Sequence, residues 1–229
     1  LEFDINASVV NKNSMMWDIS FNFSTNKNEV LALSPSVDLN GEGKFGASNY
    51  TITKKGEKLA TYYLGEFAGI DPLKGIPMIW ERDEEIYLES GKTVKTGTKI
   101  PATEINVGKN QMILSGKSST PNFYGGLRNA FRYKGISLNV MFTYSGGHYL
   151  IDQQLKDITT VKYGQNNLHE DLLEDSWQNP GDIAKYQEPI YNGGFYYNDM
   201  GEPSTTRSTA AEMSSQYLRK ADNIQLKEL

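Results

Sequence analysis

His148 and His169 are the only imidazoles in this chain of 229 residues. Neither has a Ser, a Cys or a second His at a spacing that would build a nucleophilic triad or a metal face. His169 opens an acidic run, with Glu170, Asp171, Glu174 and Asp175 around Leu172 and Leu173. Paired carboxylates about 5 to 9 Å apart can hydrolyse glycosides, but these letters also write a short amphipathic helix, with Leu168, Leu172 and Leu173 on one side and the acids on the other. Asp71, Asp83, Glu84 and Glu85 offer hard oxygen ligands. They lack the alternate-position oxygens, the central Gly and the closing Glu of a calcium loop, and read as a solvated acidic loop. Gly125 and Gly126 precede neither a helix pattern nor a Lys-Ser/Thr pair, so they are strand glycines that ease curvature rather than a phosphate cradle. The chain has no cysteine, which excludes thiolate catalysis, disulfides and cysteine-ligated zinc. The expectation is a non-enzymatic protein with no catalytic residue, no cofactor and no metal.

Binding chemistry remains. Trp80, Trp177, Phe195, Tyr196 and Tyr197 fall in long aperiodic stretches, where their rings stack on a sugar, anchor a partner protein or simply pack loop against loop. A net charge of −5 argues against nucleic acid, which demands a basic excess. No run of about 18 apolar residues exists, so no helical membrane span is expected, whereas a β-barrel span needs only about 9 to 11 alternating residues. Fourteen Tyr, nine Phe and three Trp suit strands and membrane-interface girdles alike.

Strands must carry these loops. In LEFDINASVV the odd residues Leu1, Phe3, Ile5, Ala7 and Val9 are apolar and the even ones through Ser8 polar, which is the period of a strand. After the turn NKNS, Trp17, Ile19, Phe21 and Phe23 alternate against Asp18, Ser20, Asn22 and Ser24, predicting a hairpin. A loop follows at about 26–43, strand signal returns near Lys44–Thr53 and Leu59–Ala68 around the turn KKGEK, and a second excursion spans about 69–120. The clearest hairpin comes next. Leu127, Asn129, Phe131 and Tyr133 share one face, and across Lys134-Gly135 the strand ISLNVMFTYS continues the alternation. A third excursion covers about 146–214, and YLRKADNIQLKEL begins a last strand. The chain reads as a fragment.

Short and long connections thus alternate. Structureless loops beyond about 12 to 15 residues are uncommon in compact domains, whereas outer-membrane barrels join their strands by tight turns at one rim and long loops at the other. The expected fold is all-β, an antiparallel up-and-down transmembrane β-barrel segment, with NKNS, KKGEK and YKG at the periplasmic rim. Seven strands would form only an arc of a larger barrel. Lipid would meet the odd face of the first strand, and Glu2, Asp4, Asn6, Asp18, Asn22 and Asn139 would face the lumen. The alternative is a soluble β-rich glycan-binding or adhesion domain whose apolar faces meet in a core.

Five stretches carry a resemblance. They are WDISFNFSTNKNEVLAL, GEFAGIDPLKGIP, SSTPNFYGGLRNAFRYKGISLNVMFTYSGG, WQNPGDIAKY and SQYLRKADNIQL. In this order they resemble SusC/RagA-type TonB-dependent outer-membrane transporters of Bacteroidetes. The resemblance implies the C-terminal part of a barrel of about 22 strands in the bacterial outer membrane. It also implies import of a bulky glycan or peptide substrate, a SusD-like surface lipoprotein as partner, and energy from the TonB complex acting through a plug and contact box upstream of this segment. Ala221 and Asp222 depart from the family pattern, being less apolar than a last strand requires.

Overall fold

The computed structural model describes residues 1–36, 50–159, 167–187 and 214–229, together with the backbone of 44–46, 196–197 and 203–204. The first hairpin is β1 (Glu2–Lys12) and β2 (Met15–Thr25), closed by a turn where Asn13 takes a φ of 40°, a conformation that Asn tolerates. Then come β3 (Lys44–Gly46), β4 (Thr51–Lys54), β5 (Thr61–Gly65), β6 (Phe67–Ile70), β7 (Pro77–Arg82), α1 (Glu84–Ser90), β8 (Lys95–Pro101), α2 (Glu104–Lys109) and β9 (Gln111–Ser118). The second long hairpin is β10 (Phe123–Tyr133) and β11 (Ile136–Gly146). Beyond it lie β12 (Tyr149–Ile151), α3 (Gln153–Thr159), α4 (Asp171–Glu174), β13 (Tyr196–Tyr197), β14 (Pro203–Ser204), β15 (Leu218–Lys220) and β16 (Asn223–Glu228).

The principal sheet runs β1-β2-β10-β11-β16, every pair antiparallel. Its first four strands each have 11 residues, enough to cross a hydrocarbon layer. β2 pairs with β10 along its whole length, from Thr25 opposite Phe123 to Met15 opposite Tyr133. This pairing corrects the sequence reading. Residues 26–122 are one excursion, not a loop, two barrel strands and a second loop. The strand signal near 44–53 and 59–68 belongs to separate small sheets, β3-β4-β5-β9 and, from Phe67 on, β6-β7-β8. Five strands therefore share the long sheet where seven were expected.

The turn KKGEK also moves. Lys134 N donates to Ser14 O at 3.1 Å, so the turns at 13–14 and 134–135 sit side by side. Gly56 N instead donates to Val30 O at 2.9 Å, and Lys58 Nζ donates to Asn122 Oδ1 at 2.6 Å. Those partners lie past the opposite ends of β2 and β10. KKGEK belongs with the long excursions, because its strands pair with each other and with β9 rather than with the long hairpins.

Register places the apolar residues in rows on one face: Phe3, Phe23, Gly125, Tyr144 and Ile224, then Ile5, Phe21, Leu127, Phe142 and Leu226, then Ala7, Ile19, Asn129 and Val140. Among these Phe3, Ile5, Ile224 and Leu226 are exposed, as are Ile136 and Leu138 nearer the turns. The hydrophobic cores lie elsewhere. Tyr62, Leu64, Met112 and Leu114 pack in one cluster and Ile79, Ala102 and Val107 in another, all within the 26–122 excursion. The two clusters thus lie in the excursion, Leu172, Trp177, Tyr186 and Tyr217 are buried in later segments, and the long sheet keeps an uncovered apolar face.

Two register shifts fall in the principal sheet, one in β1 and one where β16 meets Met141 and Phe142 of β11. A bulge between Ser8 and Val10 adds a residue to β1 and exchanges its faces. Val10, not Val9, stands opposite Trp17 in the apolar row, with Phe131 and Leu138 beyond. The predicted last strand is likewise divided at Ala221 and Asp222. β15 pairs with β12 and β16 with β11, while Asp222 Oδ1 accepts from Gly147 N at 2.7 Å. The Ala221-Asp222 pair is a junction, which explains why it departs from a strand pattern.

Two polar features on the apolar face are satisfied locally. Tyr144 lies across Gly125, where a Cβ would overlap its ring, and its hydroxyl donates to Asn22 O at 2.8 Å. Asn129, the amide in the third row, accepts from Trp17 Nε1 at 3.4 Å. Trp17→Phe keeps an aromatic ring there but removes the indole N–H and leaves that amide oxygen unpaired, and is expected to cost about 1–3 kcal/mol. Asn129→Leu in the same background should recover most of the loss, as read by denaturant unfolding of the folded barrel in lipid.

Candidate functional site

The expected lumen set occupies one face. Asp4 stands opposite Asn22, Ser8 opposite Asp18, and the Asp18 row continues through Ala130 to Asn139, while Glu2 and Asn6 follow the same parity on β1. Ser8 Oγ donates to Asp18 Oδ1 at 2.5 Å. Arg128 and Arg132, which the sequence reading passed over, join this face opposite Ser20 and Met16. The opposite face carries the apolar rows, so the two sides of one sheet differ sharply in polarity.

The loop aromatics separate into different roles. Trp80, half-buried on β7, has Lys95 Nζ and Lys99 Nζ at 5.2 and 5.1 Å from its ring centroid, within cation–π range. Glu66 Oε1 accepts from Lys95 at 2.8 Å and Ala68 O from Lys99 at 2.9 Å. The ring is therefore already flanked by lysines. Trp177 is buried, and its Nε1 donates to Pro72 O at 2.8 Å; Gly181 N donates to the same oxygen at 2.7 Å. Gly75, at a φ of +68°, sits against the indole, where a Cβ would collide with it. Tyr196 and Tyr197 are placed only as backbone in β13, and Phe195 lies outside the described residues.

The turn that receives Trp177 is built by its own sequence. Asp71 Oδ1 accepts from Leu73 N at 2.7 Å and Lys74 N at 3.1 Å, and Asp71 N donates to Ile76 O at 2.8 Å. This is the self-capping geometry for which Asp is favoured in turns. Two of the other acids are similarly engaged. Asp83 caps α1 through Ile86 N, and Glu84 Oε2 lies 2.6 Å from Arg82 Nη2. Among the described residues no group of His, Cys, Asp or Glu is placed to hold a metal ion.

Arg82 is the charged centre that the sequence did not reveal. Its side chain is only 6% exposed, stacks 3.6 Å from the Tyr87 centroid and donates to Tyr63 Oη and Gln111 O. It borders an open cleft of about 620 Å³ with Glu81, Glu84, Ile100, Asn106 and Lys109. Acids and bases balance there, which gives the cleft no preference for a net charge.

The acidic run around His169 folds differently from expectation. α4 spans only Asp171–Glu174; Leu172 is buried, whereas Leu168 and Leu173 are exposed. Asp171 Oδ2 accepts from Lys185 Nζ at 2.6 Å, with His169 Nδ1 3.2 Å from Oδ1. The hydrogen bond from Lys185 holds the Asp171 carboxyl below its ordinary range, aided by His169 and opposed by partial desolvation. A carboxylate whose native pKa is depressed stabilises the fold above its unfolded value and loses that effect as the pH falls through the native one. The 171–185 contact should therefore persist at neutral pH and loosen only below about pH 4. Carbon-13 titration of the Asp171 carboxyl tests this, and a midpoint at or above that of free aspartate would contradict it.

An antiparallel arc of membrane-crossing length, apolar on one face and polar on the other, is a segment of a transmembrane β-barrel. The comparisons point to one kind of barrel. "TonB-dependent receptor P3" and "TonB-dependent receptor P39" of Formosa agariphila are each 25% identical to the chain, over 167 and 220 residues covering 69% and 81% of it. Two solved structures share the fold: the RagAB peptide importer in its closed-closed state, with a TM-score of 0.63, 20% identity and 98% of this chain covered, and in its open-open state, with 0.62, 19% and 99%. No family model matches. The chain spans 16% and 20% of the two curated relatives and 21% of each solved chain. The resemblance to SusC/RagA-type TonB-dependent transporters, the barrel-segment fold and the outer-membrane location read from the sequence are borne out.

Proposed function

We propose that this chain is part of the C-terminal barrel of an active outer-membrane transporter that imports a bulky nutrient, an oligosaccharide or a peptide, with TonB-derived energy. Its long excursions stand at the cell surface, where they meet the substrate and a SusD-like lipoprotein. The chain acts by binding and conduction and is not an enzyme. The polar face carrying Glu2, Asp4, Asn6, Asp18, Asn22 and Asn139 lines the lumen, and lipid covers the opposite face.

One observation carries this reading: the buried clusters lie in the excursion, while the five-stranded sheet keeps an exposed apolar face. A soluble domain would cover that face, because large contiguous apolar patches are rare on soluble monomers. The RagAB structures belong to a peptide importer, which supports transport and keeps a peptide among the substrates. Single cysteines in the full-length transporter, labelled by a membrane-impermeant maleimide on intact cells, test the topology. Cysteine at Leu73 or Ile183 should react directly, and at Ser14 or Gly135 only after permeabilisation. The reverse pattern would overturn the orientation. A detergent-free, monodisperse and cooperatively melting sample of this segment would favour the soluble adhesion domain instead.

A further inference from the structure

Among the paired rows of the apolar face from Phe3 downward, a charge appears at one level only. The rows led by Phe3, Ile5, Ala7 and Val10 hold neither a cation nor a carboxylate, and the last row, at the tight-turn rim, reads Lys12, Met15, Tyr133 and Ile136. The bulge between Ser8 and Val10 brings Lys12 there; an unbroken alternation would send it to the polar face. Lys134, in the adjoining turn, holds its Nζ 5.3 Å from the centroid of the Tyr133 ring. Both lysines and the tyrosine are exposed, and neither ammonium has a hydrogen-bond or ion-pair partner among the described residues.

We propose that Lys12, Lys134 and Tyr133 form a binding site for the phosphate of an anionic phospholipid at the periplasmic rim. The inference rests on the membrane reading above. Lys12 and Tyr133 lie two strands apart, about 10 Å between backbones, so a lysine from either side reaches a common phosphate between them. Long cationic side chains at this level extend along the apolar surface toward the headgroups, and a tyrosine ring sits where hydrocarbon gives way to water. Trp17, one row deeper beside Phe131, supplies apolar surface for the acyl chains. Because Lys134 already uses φ +44°, Gln there adds no backbone demand that Lys does not meet.

The test uses the full-length transporter in neutral detergent, titrated with phosphatidylglycerol or phosphatidylcholine and read by native mass spectrometry. Phosphatidylglycerol should bind in preference to phosphatidylcholine. Lys12→Gln and Lys134→Gln should each weaken its binding about fivefold and the pair about 25-fold, while Lys→Arg at both positions retains it. Neither inorganic phosphate nor soluble glycerol phosphate should compete. Equal binding by the double variant, equal binding of the two lipids, or full competition by inorganic phosphate would each overturn the phospholipid site. Retained heat-modifiable migration on gels shows that the variants fold. If the cysteine labelling places Ser14 and Gly135 at the cell surface, the membrane orientation fails and this site with it; equal lipid binding with the labelling intact removes the site alone.

Discussion

Arginine in place of Ile5 is expected to destabilise the folded barrel by about 2–4 kcal/mol, whereas arginine at the neighbouring Asn6 should change stability by much less. Ile5 shares a row with Phe21, Leu127, Phe142 and Leu226, between the Phe3 row above and the three rows that lead down to Lys12. Phe3 and then Leu1, which pairs with Thr25, separate it from the loop end by about 13 Å at about 3.3 Å per residue, so that position stands near the middle of the apolar face, too deep for the guanidinium to escape to either rim. Asn6 points to the other face, among Ser20 and Arg128, where water solvates an added charge. Denaturant unfolding of the full-length barrel in lipid vesicles measures both variants. Equal tolerance would mean that the faces are assigned the wrong way round.

This contrast was legible in the sequence because each face of a long strand meets a single medium. The period of two in Phe3, Ile5, Ala7 and in Trp17, Ile19, Phe21 therefore records an environment as well as a conformation. Where the medium is mixed, the signal fails. Val9 and Val10 are both apolar, so nothing in the letters marks the bulge that exchanges the faces of β1 and carries Lys12 to the apolar side. The segments at 44–53 and 59–68 alternate as well as short strands do, but which strand they pair with is a long-range choice. β2 closes on β10 across the whole excursion because two 11-residue strands bury more ladder hydrogen bonds than the four-residue β4 could offer either of them.

The loop sites were legible by type and opaque by contact. Trp80 and Trp177 were singled out as aromatics on loops, and both are indeed held by groups distant in sequence: Lys95 and Lys99 for one, Pro72 and Gly75 for the other. No local pattern encodes those meetings. Arg82 was invisible for the same reason, since its burial depends on Tyr63, Tyr87 and Gln111 arriving from three other elements. A φ of +68° at Gly75 is the exception, because a glycine inside an Asp-Pro turn is a signal that the sequence does carry.

That glycine governs the largest expected effect in the excursions. Trp177→Ala removes a buried indole and its hydrogen bond to Pro72, and should loosen the contact between the 70–77 turn and the 177–186 segment by about 3–5 kcal/mol. Gly75→Ala attacks the same contact from the other side. Its methyl group would occupy the space of the indole, and a left-handed φ costs a non-glycine residue about 1–2 kcal/mol in any case. The two changes cannot add, since both act through one ring. With Trp177 already truncated the alanine methyl has room, and Gly75→Ala should then cost only the backbone part. Hydrogen exchange at Gly75, Trp177 and Gly181 in the full-length transporter reads the contact directly. The paired sheet of β1, β2, β10 and β11 should keep its protection throughout, because none of its hydrogen bonds passes through Pro72 or Trp177. Strict additivity of the two substitutions, or faster exchange in the long strands, would show that the junction is not the independent clamp that its geometry describes.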